Sequence, residues 1–250
     1  MCIRDSITAE DVGTTTRDME YIKMETDHVT GIPKNQGGSG DPSPVTAYGT
    51  YLGMKASMKK LTGSDSLKGK RVVVQGTGNV GYYLCELLHK EGAEIFVYDI
   101  FDDKIKNVVD KFGVTVIKEE EVYSFDADVF APCALGAILN ENTIPQLKYS
   151  IIAGGANNQL ADEEADGQRL KDRGILWAPD FLINAGGLIN VYTELEGYDR
   201  DRAMGRADKI FDTTLACYDY AEANNITTSK ASIALAQQRI DAMARLSHYI

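Results

Sequence analysis

Gly76, Gly78 and Gly81, in the run Gly76-Thr77-Gly78-Asn79-Val80-Gly81, have the types and spacing needed to hold an anion against backbone. The first glycine suits a tight turn, and the second lets the main chain approach a diphosphate. The third lets a helix pack closely on a strand, so that the free N–H groups of the helix start face the anion. Asp99 follows 18 residues after Gly81. That is close to the offset of about 20 residues at which a carboxylate accepts hydrogen bonds from an adenine ribose. A carboxylate there repels a 2′-phosphate, and no Lys or Arg follows in Ile100-Phe101-Asp102-Asp103. The pattern points to NAD rather than NADP. The competing reading is a structural strand-helix turn with an unrelated surface Asp99.

These residues need a strand before them and a helix after, and the flanking sequence supplies both. Lys70-Arg71-Val72-Val73-Val74-Gln75 is a β-branched run. Val80, Leu84, Leu87 and Leu88 recur at helical spacing and stop at Gly92, and Ile95-Phe96-Val97-Tyr98 leads into Asp99. Strands are predicted at 70–75, 94–98, 114–117, 128–131, 150–153 and 175–178, and helices at 79–91, 102–111 and 159–173. This alternation predicts an α/β fold with a Rossmann-type doubly wound parallel sheet. Ligands of such sheets bind beyond the carboxyl ends of the strands, at the switch point. The loops there, 76–81, 131–136, 154–158 and 179–187, are rich in Gly, Ala, Asn and Pro.

Upstream, Thr15-Thr16-Arg17-Asp18 has the form of a capping box and predicts a helix to about residue 26. Residues 31–41 read as a mobile loop. Ser43-Pro44 predicts a long helix with Ser43 as N-cap, ending before Gly63. Downstream, helices are predicted at 203–223 and 229–246. One carries Ala207, Ile210, Phe211, Thr214, Cys217, Tyr218 and Ala221, the other Ile233, Leu235, Ala236, Ile240 and Met243, both read as packing stripes. Residues 1–6 fit nothing that follows and read as a foreign start.

The 250 residues, 44% hydrophobic and 25% charged, suit a soluble globular protein. A net charge of −11, spread along the chain, argues against nucleic acid or an anionic membrane as partner. Cys2, Cys85, Cys133 and Cys217 form no CxxC pair, which predicts reduced thiols in a cytoplasm. His28, His89 and His248 have no metal-ligand spacing, so no metal is expected.

Several segments together resemble the amino-acid dehydrogenases that act on glutamate, leucine, phenylalanine and valine, most of all the leucine-acting members. They are Thr8-Ala-Glu-Asp11-Val-Gly-Thr14, Thr26-Asp-His-Val-Thr-Gly31, Asp41-Pro-Ser-Pro-Val-Thr-Ala-Tyr48, the 76–81 run, Ala131-Pro-Cys-Ala-Leu-Gly136, Ala153-Gly-Gly-Ala-Asn-Asn-Gln-Leu160 and Ala178-Pro-Asp-Phe-Leu-Ile-Asn-Ala-Gly-Gly-Leu-Ile-Asn190. The resemblance implies reversible oxidative deamination of an L-amino acid to its 2-oxo acid and ammonia, with NAD taking the hydride, in an oligomeric two-domain protein. By matched position Asp11 is the acid-base aspartate, although Thr8–Asp11 alone also fits a helix-start pattern. Thr46 is placed near the nicotinamide amide, where an ordinary first-turn residue is the other reading. Asn157 is placed at the nicotinamide ribose, and Ala134 joins the cofactor-binding set. Asn158 and Asn184 face the cleft to orient nicotinamide or substrate, or else satisfy backbone groups.

The family's glycine-rich segment with two functional lysines should precede Asp11, where only ten residues stand. Lys23, Lys34, Lys55, Lys59 and Lys60 all follow it in another context. The chain therefore reads as a fragment: residues 1–42 a remnant of the substrate domain, 43–190 the NAD-binding domain, and 191–250 C-terminal helices between domains. Glutamate-specific members place a serine where Val191 stands here. Val191, with Leu188 and Ile189, makes an apolar wall that cannot offset desolvation of a second carboxylate, so a branched-chain substrate is expected. A phenylalanine or valine dehydrogenase and a non-catalytic NAD-binding module remain as alternatives.

Overall fold

Valine-rich strands stacked side by side form the centre of this computed structural model, which describes residues 6–11 and 13–247. Among these residues six parallel strands form one sheet in the order β3-β2-β1-β4-β5-β6. They are β1 Arg71–Gln75, β2 Glu94–Tyr98, β3 Thr115–Val116, β4 Val129–Pro132, β5 Ile151–Ile152 and β6 Leu176–Trp177. Successive side chains alternate between faces. Val72, Val74, Val129, Ala131 and Ile151 enter one core cluster with Met54, Leu84 and Leu88. Val73, Phe130 and Ile152 enter the other, with Leu139, Leu147 and Trp177. Burial on both faces is why these strands read as unbroken apolar runs.

The helices are α1 Thr16–Lys23, α2 Ser43–Thr62, α3 Asn79–Glu91, α4 Asp102–Phe112, α5 Glu163–Asp172, α6 Asp180–Ile183, α7 Gly186–Glu194, α8 Arg200–Ala207, α9 Lys209–Asn224 and α10 Thr228–Ser247. The expected α/β doubly wound sheet is present, with every predicted strand within two residues of its place. The capping box of α1 is present too: the Thr15 N–H and hydroxyl both donate to Asp18.

Several local expectations differ from the structure. Helix α2 is not capped by Ser43, which is its first residue. Asp41 does that work, accepting the Ser43 N–H at 2.8 Å. Helix α5 starts at Glu163 rather than 159, because Leu160 pairs with Leu139 and Asp162 caps the helix by accepting from the Glu164 and Ala165 N–H groups. The 203–223 helix is two helices, α8 and α9, joined at Asp208, whose carboxylate accepts the Tyr48 hydroxyl. No helix starts at Thr8; Thr8 pairs instead with Val29. Residues 31–41 are a folded segment, with the N–H groups of Gly31 and Ser39 both donating to Glu194.

The stripe of α9 is packed as expected: Ile210, Thr214, Cys217, Tyr218 and Ala221 are buried. On α10, Ile233, Ile240 and Met243 are instead exposed, and no element among the described residues covers that side. Residues 1–5, most of the stretch read as a foreign start, lie outside the described residues, as do Val12 and His248. Cys85, Cys133 and Cys217 are free thiols. Among the described residues no helix is long and apolar enough to cross a membrane, and no group of three His, Cys, Asp or Glu is placed to hold a metal.

Candidate functional site

Strands β1 and β4 are neighbours, and the chain leaves them toward opposite halves of the sheet. A crevice opens outside their carboxyl ends, which is the switch point of a doubly wound sheet. The three glycines meet it in three different ways. Gly76 has φ +95°, and a Cβ there would come within 2.7 Å of the Ala134 Cβ. A Cβ on Gly81 would lie 1.9 Å from the Gly76 carbonyl oxygen, the close helix-strand contact only glycine permits. A Cβ on Gly78 would meet nothing within 4 Å. The second glycine is thus not demanded by packing of the protein on itself; the space in front of it is open.

Asp99 lies against this turn. Its Oδ2 accepts the Thr77 N–H at 2.6 Å and the Thr77 hydroxyl at 3.1 Å, and its Oδ1 accepts the Phe101 N–H at 3.0 Å. A carboxylate offers about four acceptor sites. Asp99 therefore holds the turn and keeps some capacity for a ligand hydroxyl. A hollow of roughly 230 Å³ lies before the turn, bordered by Thr77, Gly78 and Asn79 on one side and Lys104 and Asn107 of α4 on another.

The remaining candidates from the cofactor set form a continuous rim. A Cβ on Gly155 would touch Val80 at 2.7 Å and the Thr50 hydroxyl at 3.3 Å, so the 154–158 loop lies against the start of α3. The Asn184 side chain donates to the Asn157 side chain at 2.5 Å and to the Gly155 carbonyl at 3.3 Å, joining that loop to the end of α6. Thr46 is next along: a Cβ on Gly187 would lie 2.5 Å from its hydroxyl oxygen, which donates to the Pro42 carbonyl. Asn158 is exposed with φ +52°, and its carbonyl accepts the Ala137 N–H at 2.6 Å.

Two residues of the set stand apart from that rim. Val191 is buried on α7, whereas Leu188, three residues earlier, and Tyr192 are exposed. Asp11 begins a turn closed by Thr14, whose hydroxyl both accepts the Asp11 N–H and donates to the Asp11 carbonyl. Its segment reaches α7 through the ladder of Thr8 and Thr30 and then through Glu194.

Sequence reasoning missed several supports. Gln159 is fully buried; its side chain donates to the Gly154 and Ala156 carbonyls and accepts from the Trp177 indole, which shapes the 154–158 loop from beneath. Asp180 accepts the Gln159 and Phe181 N–H groups; burial raises its carboxyl above the ordinary value, against the opposing pull of those N–H groups. Glu194 is an ordinary helix acid by sequence, with no signal that it reaches 155 and 163 residues back. A larger hollow, roughly 390 Å³, lies among Lys60, Leu170, Trp177, Tyr218 and Ile226, away from the glycine turn, and none of the candidates lines it.

A family model described as Glutamate/Leucine/Phenylalanine/Valine dehydrogenase matches residues 37–104 and 97–246. Leucine dehydrogenase of Geobacillus stearothermophilus is 51% identical over 239 residues, covering 96% of this chain. The chain spans 65% of that relative's length. The crystal structure of L-tryptophan dehydrogenase from Nostoc punctiforme superposes with a TM-score of 0.85 at 45% identity, covering 96% of this chain and 68% of that one. Hetero-hexameric glutamate dehydrogenase from Thermus thermophilus superposes with a TM-score of 0.76 at 25% identity, covering 96% and 64%.

Proposed function

Because the chain belongs to the glutamate/leucine/phenylalanine/valine dehydrogenase family, we propose that it holds NAD for the reversible oxidative deamination of a branched-chain L-amino acid to its 2-oxo acid and ammonia. One observation carries the cofactor reading. The outer two glycines of the turn are required by the protein's own packing, whereas the middle one faces open space beside Asp99. That arrangement fits a dinucleotide: the N–H groups at the head of α3 receive the diphosphate, and Asp99 accepts the adenine ribose hydroxyls. The same carboxylate repels a 2′-phosphate, which favours NAD over NADP.

Bound NAD supplies a hydride acceptor; the remaining work falls to side chains. Asn157 is assigned to the nicotinamide ribose, Thr46 and Asn184 to the carboxamide, and Ala134 to the wall behind the dinucleotide. Asn158 faces the substrate. Asp11 takes the proton that the substrate ammonium must release, a general-base role. The resemblance also implies a lysine to activate water, and Lys23, Lys34, Lys55, Lys59 and Lys60 all follow Asp11 in another context. The apolar side chains of α7, Leu188 outermost and Val191 behind it, favour an apolar substrate, since a buried carboxylate without a partner is costly. The exposed face of α10 supports a homo-oligomer as the working form. Phenylalanine or valine as substrate, or binding without catalysis, remain the competing readings.

Titrating the chain with NAD and NADP tests the proposal. Binding of NAD with at least tenfold preference over NADP is expected; absence of NAD binding, or equal affinities, would overturn it. Deamination assays on leucine, valine, phenylalanine and glutamate decide the substrate, and strong glutamate turnover would defeat the α7 argument. Full activity of an Asp11→Asn variant would remove Asp11 from the mechanism.

A further inference from the structure

The hollow before the glycine turn is bordered by one basic side chain, Lys104, and one acidic one, Asp41, which already accepts the Ser43 N–H. Lys104 stands in the first turn of α4, one residue beyond the acidic pair Asp102 and Asp103. None of the ion pairs among the described residues uses it. Its ammonium instead lies 4.5 Å from the centre of the Phe101 ring. A ring face attracts a cation without neutralising it. The charge is therefore held beside the hollow and still available. Across the hollow are Gly78 and Asn79, where α3 begins with unsatisfied N–H groups.

We propose that Lys104 is a diphosphate-binding residue of the cofactor site, facing the anion from α4 while the head of α3 faces it from the turn. The inference rests on the dinucleotide reading of that turn. The diphosphate is the nearer reading because the hollow opens on the N–H groups at the head of α3. Lys104 borders the same hollow as Gly78 and Asn79, where the head of α3 presents its N–H groups; Asp99 lies at the edge of that hollow through Thr77 and Phe101, so the 2′-phosphate is the alternative the test must separate. The contact adds affinity common to any adenine nucleotide with a diphosphate and does not choose between NAD and NADP.

The test compares the unmodified chain with Lys104→Met, which keeps an unbranched apolar stem over Phe101, and Lys104→Arg, which keeps the charge. Dissociation constants are measured for NAD, NADP, ADP and adenosine. Lys104→Met is expected to weaken NAD, NADP and ADP alike by about tenfold, as loss of one charge-assisted contact does. Adenosine should be unaffected, and Lys104→Arg should stay within about twofold for all four ligands. The tenfold loss should fade at about 1 M salt, where the screening length is short. Unchanged NAD and ADP binding by Lys104→Met would overturn the assignment while leaving the dinucleotide reading intact. A loss confined to NADP would move the lysine to the 2′-phosphate, and a loss shared by adenosine would make it a base contact; either result overturns the proposal. If the unmodified chain binds neither NAD nor ADP, the dinucleotide reading fails first and this inference fails with it.

Discussion

Gly78→Ala separates a binding role for the glycine turn from a folding role. Gly78 has φ −65° and ψ −161°, backbone that alanine adopts without strain. The added methyl would meet no protein atom within 4 Å. Folding should therefore be unharmed, and the smaller entropy of the unfolded chain should stabilise the variant by about 0.4–1 kcal/mol. The same methyl would project to where a diphosphate must approach the backbone. Pushing the anion out of reach of two N–H donors forfeits hydrogen bonds worth about 1.5 kcal/mol each at the lower end for charged groups. A loss of about 3 kcal/mol is roughly a hundredfold in affinity. Thermal unfolding and NAD titration of the same preparation read both quantities. Gly81→Ala is the contrasting control. Its Cβ would lie 1.9 Å from the Gly76 carbonyl oxygen, so the helix start must shift, and both stability and binding should fall. A Gly78→Ala chain that melts normally and binds NAD within about threefold of the unmodified one would refute the reasoning.

Two further outcomes are expected. Glu194→Ala leaves the buried N–H groups of Gly31 and Ser39 without their shared acceptor, which should cost about 3 kcal/mol in denaturant unfolding, with Glu194→Gln recovering most of it; an unchanged midpoint for the alanine variant would show that other groups replace the carboxylate. Burial, followed by the charges of Asp41 and Asp18, raises the Glu10 carboxyl above its ordinary 4.5, and one of its oxygens is buried without a hydrogen-bond partner. The folded state thus favours the protonated form: the stability Glu10 allows below 4.5 is lost as pH rises through the raised value. Glu10→Gln should match the unmodified chain in melting temperature near pH 4 and exceed it at pH 7, and a difference independent of pH would contradict the assigned cause.

The parts of this protein legible in its sequence are those set by neighbours along the chain. Side-chain period distinguishes strand from helix, glycine spacing announces the turn, and βα alternation restricts the sheet to a parallel, doubly wound order. That is why β1, α3 and β2 are readable from consecutive residues. Even here the neighbouring contacts redistributed roles: Asp99 first holds Thr77, and Asp41 rather than Ser43 caps α2.

What tertiary structure decided is how distant segments satisfy one another. Gly31 and Ser39 have polar N–H groups that are buried by folding and must find an acceptor, and a residue on α7 supplies it. No local pattern marks Glu194 for this, because the demand arises only when the two segments meet. Gln159 is likewise unremarkable in sequence, yet it braces the loop that carries Asn157, to which Asn184 at the end of α6 donates. Periodicity and turn chemistry are properties of consecutive residues and can be read from them; the pairing of buried polar groups depends on which surfaces are brought together, and only the folded chain determines that.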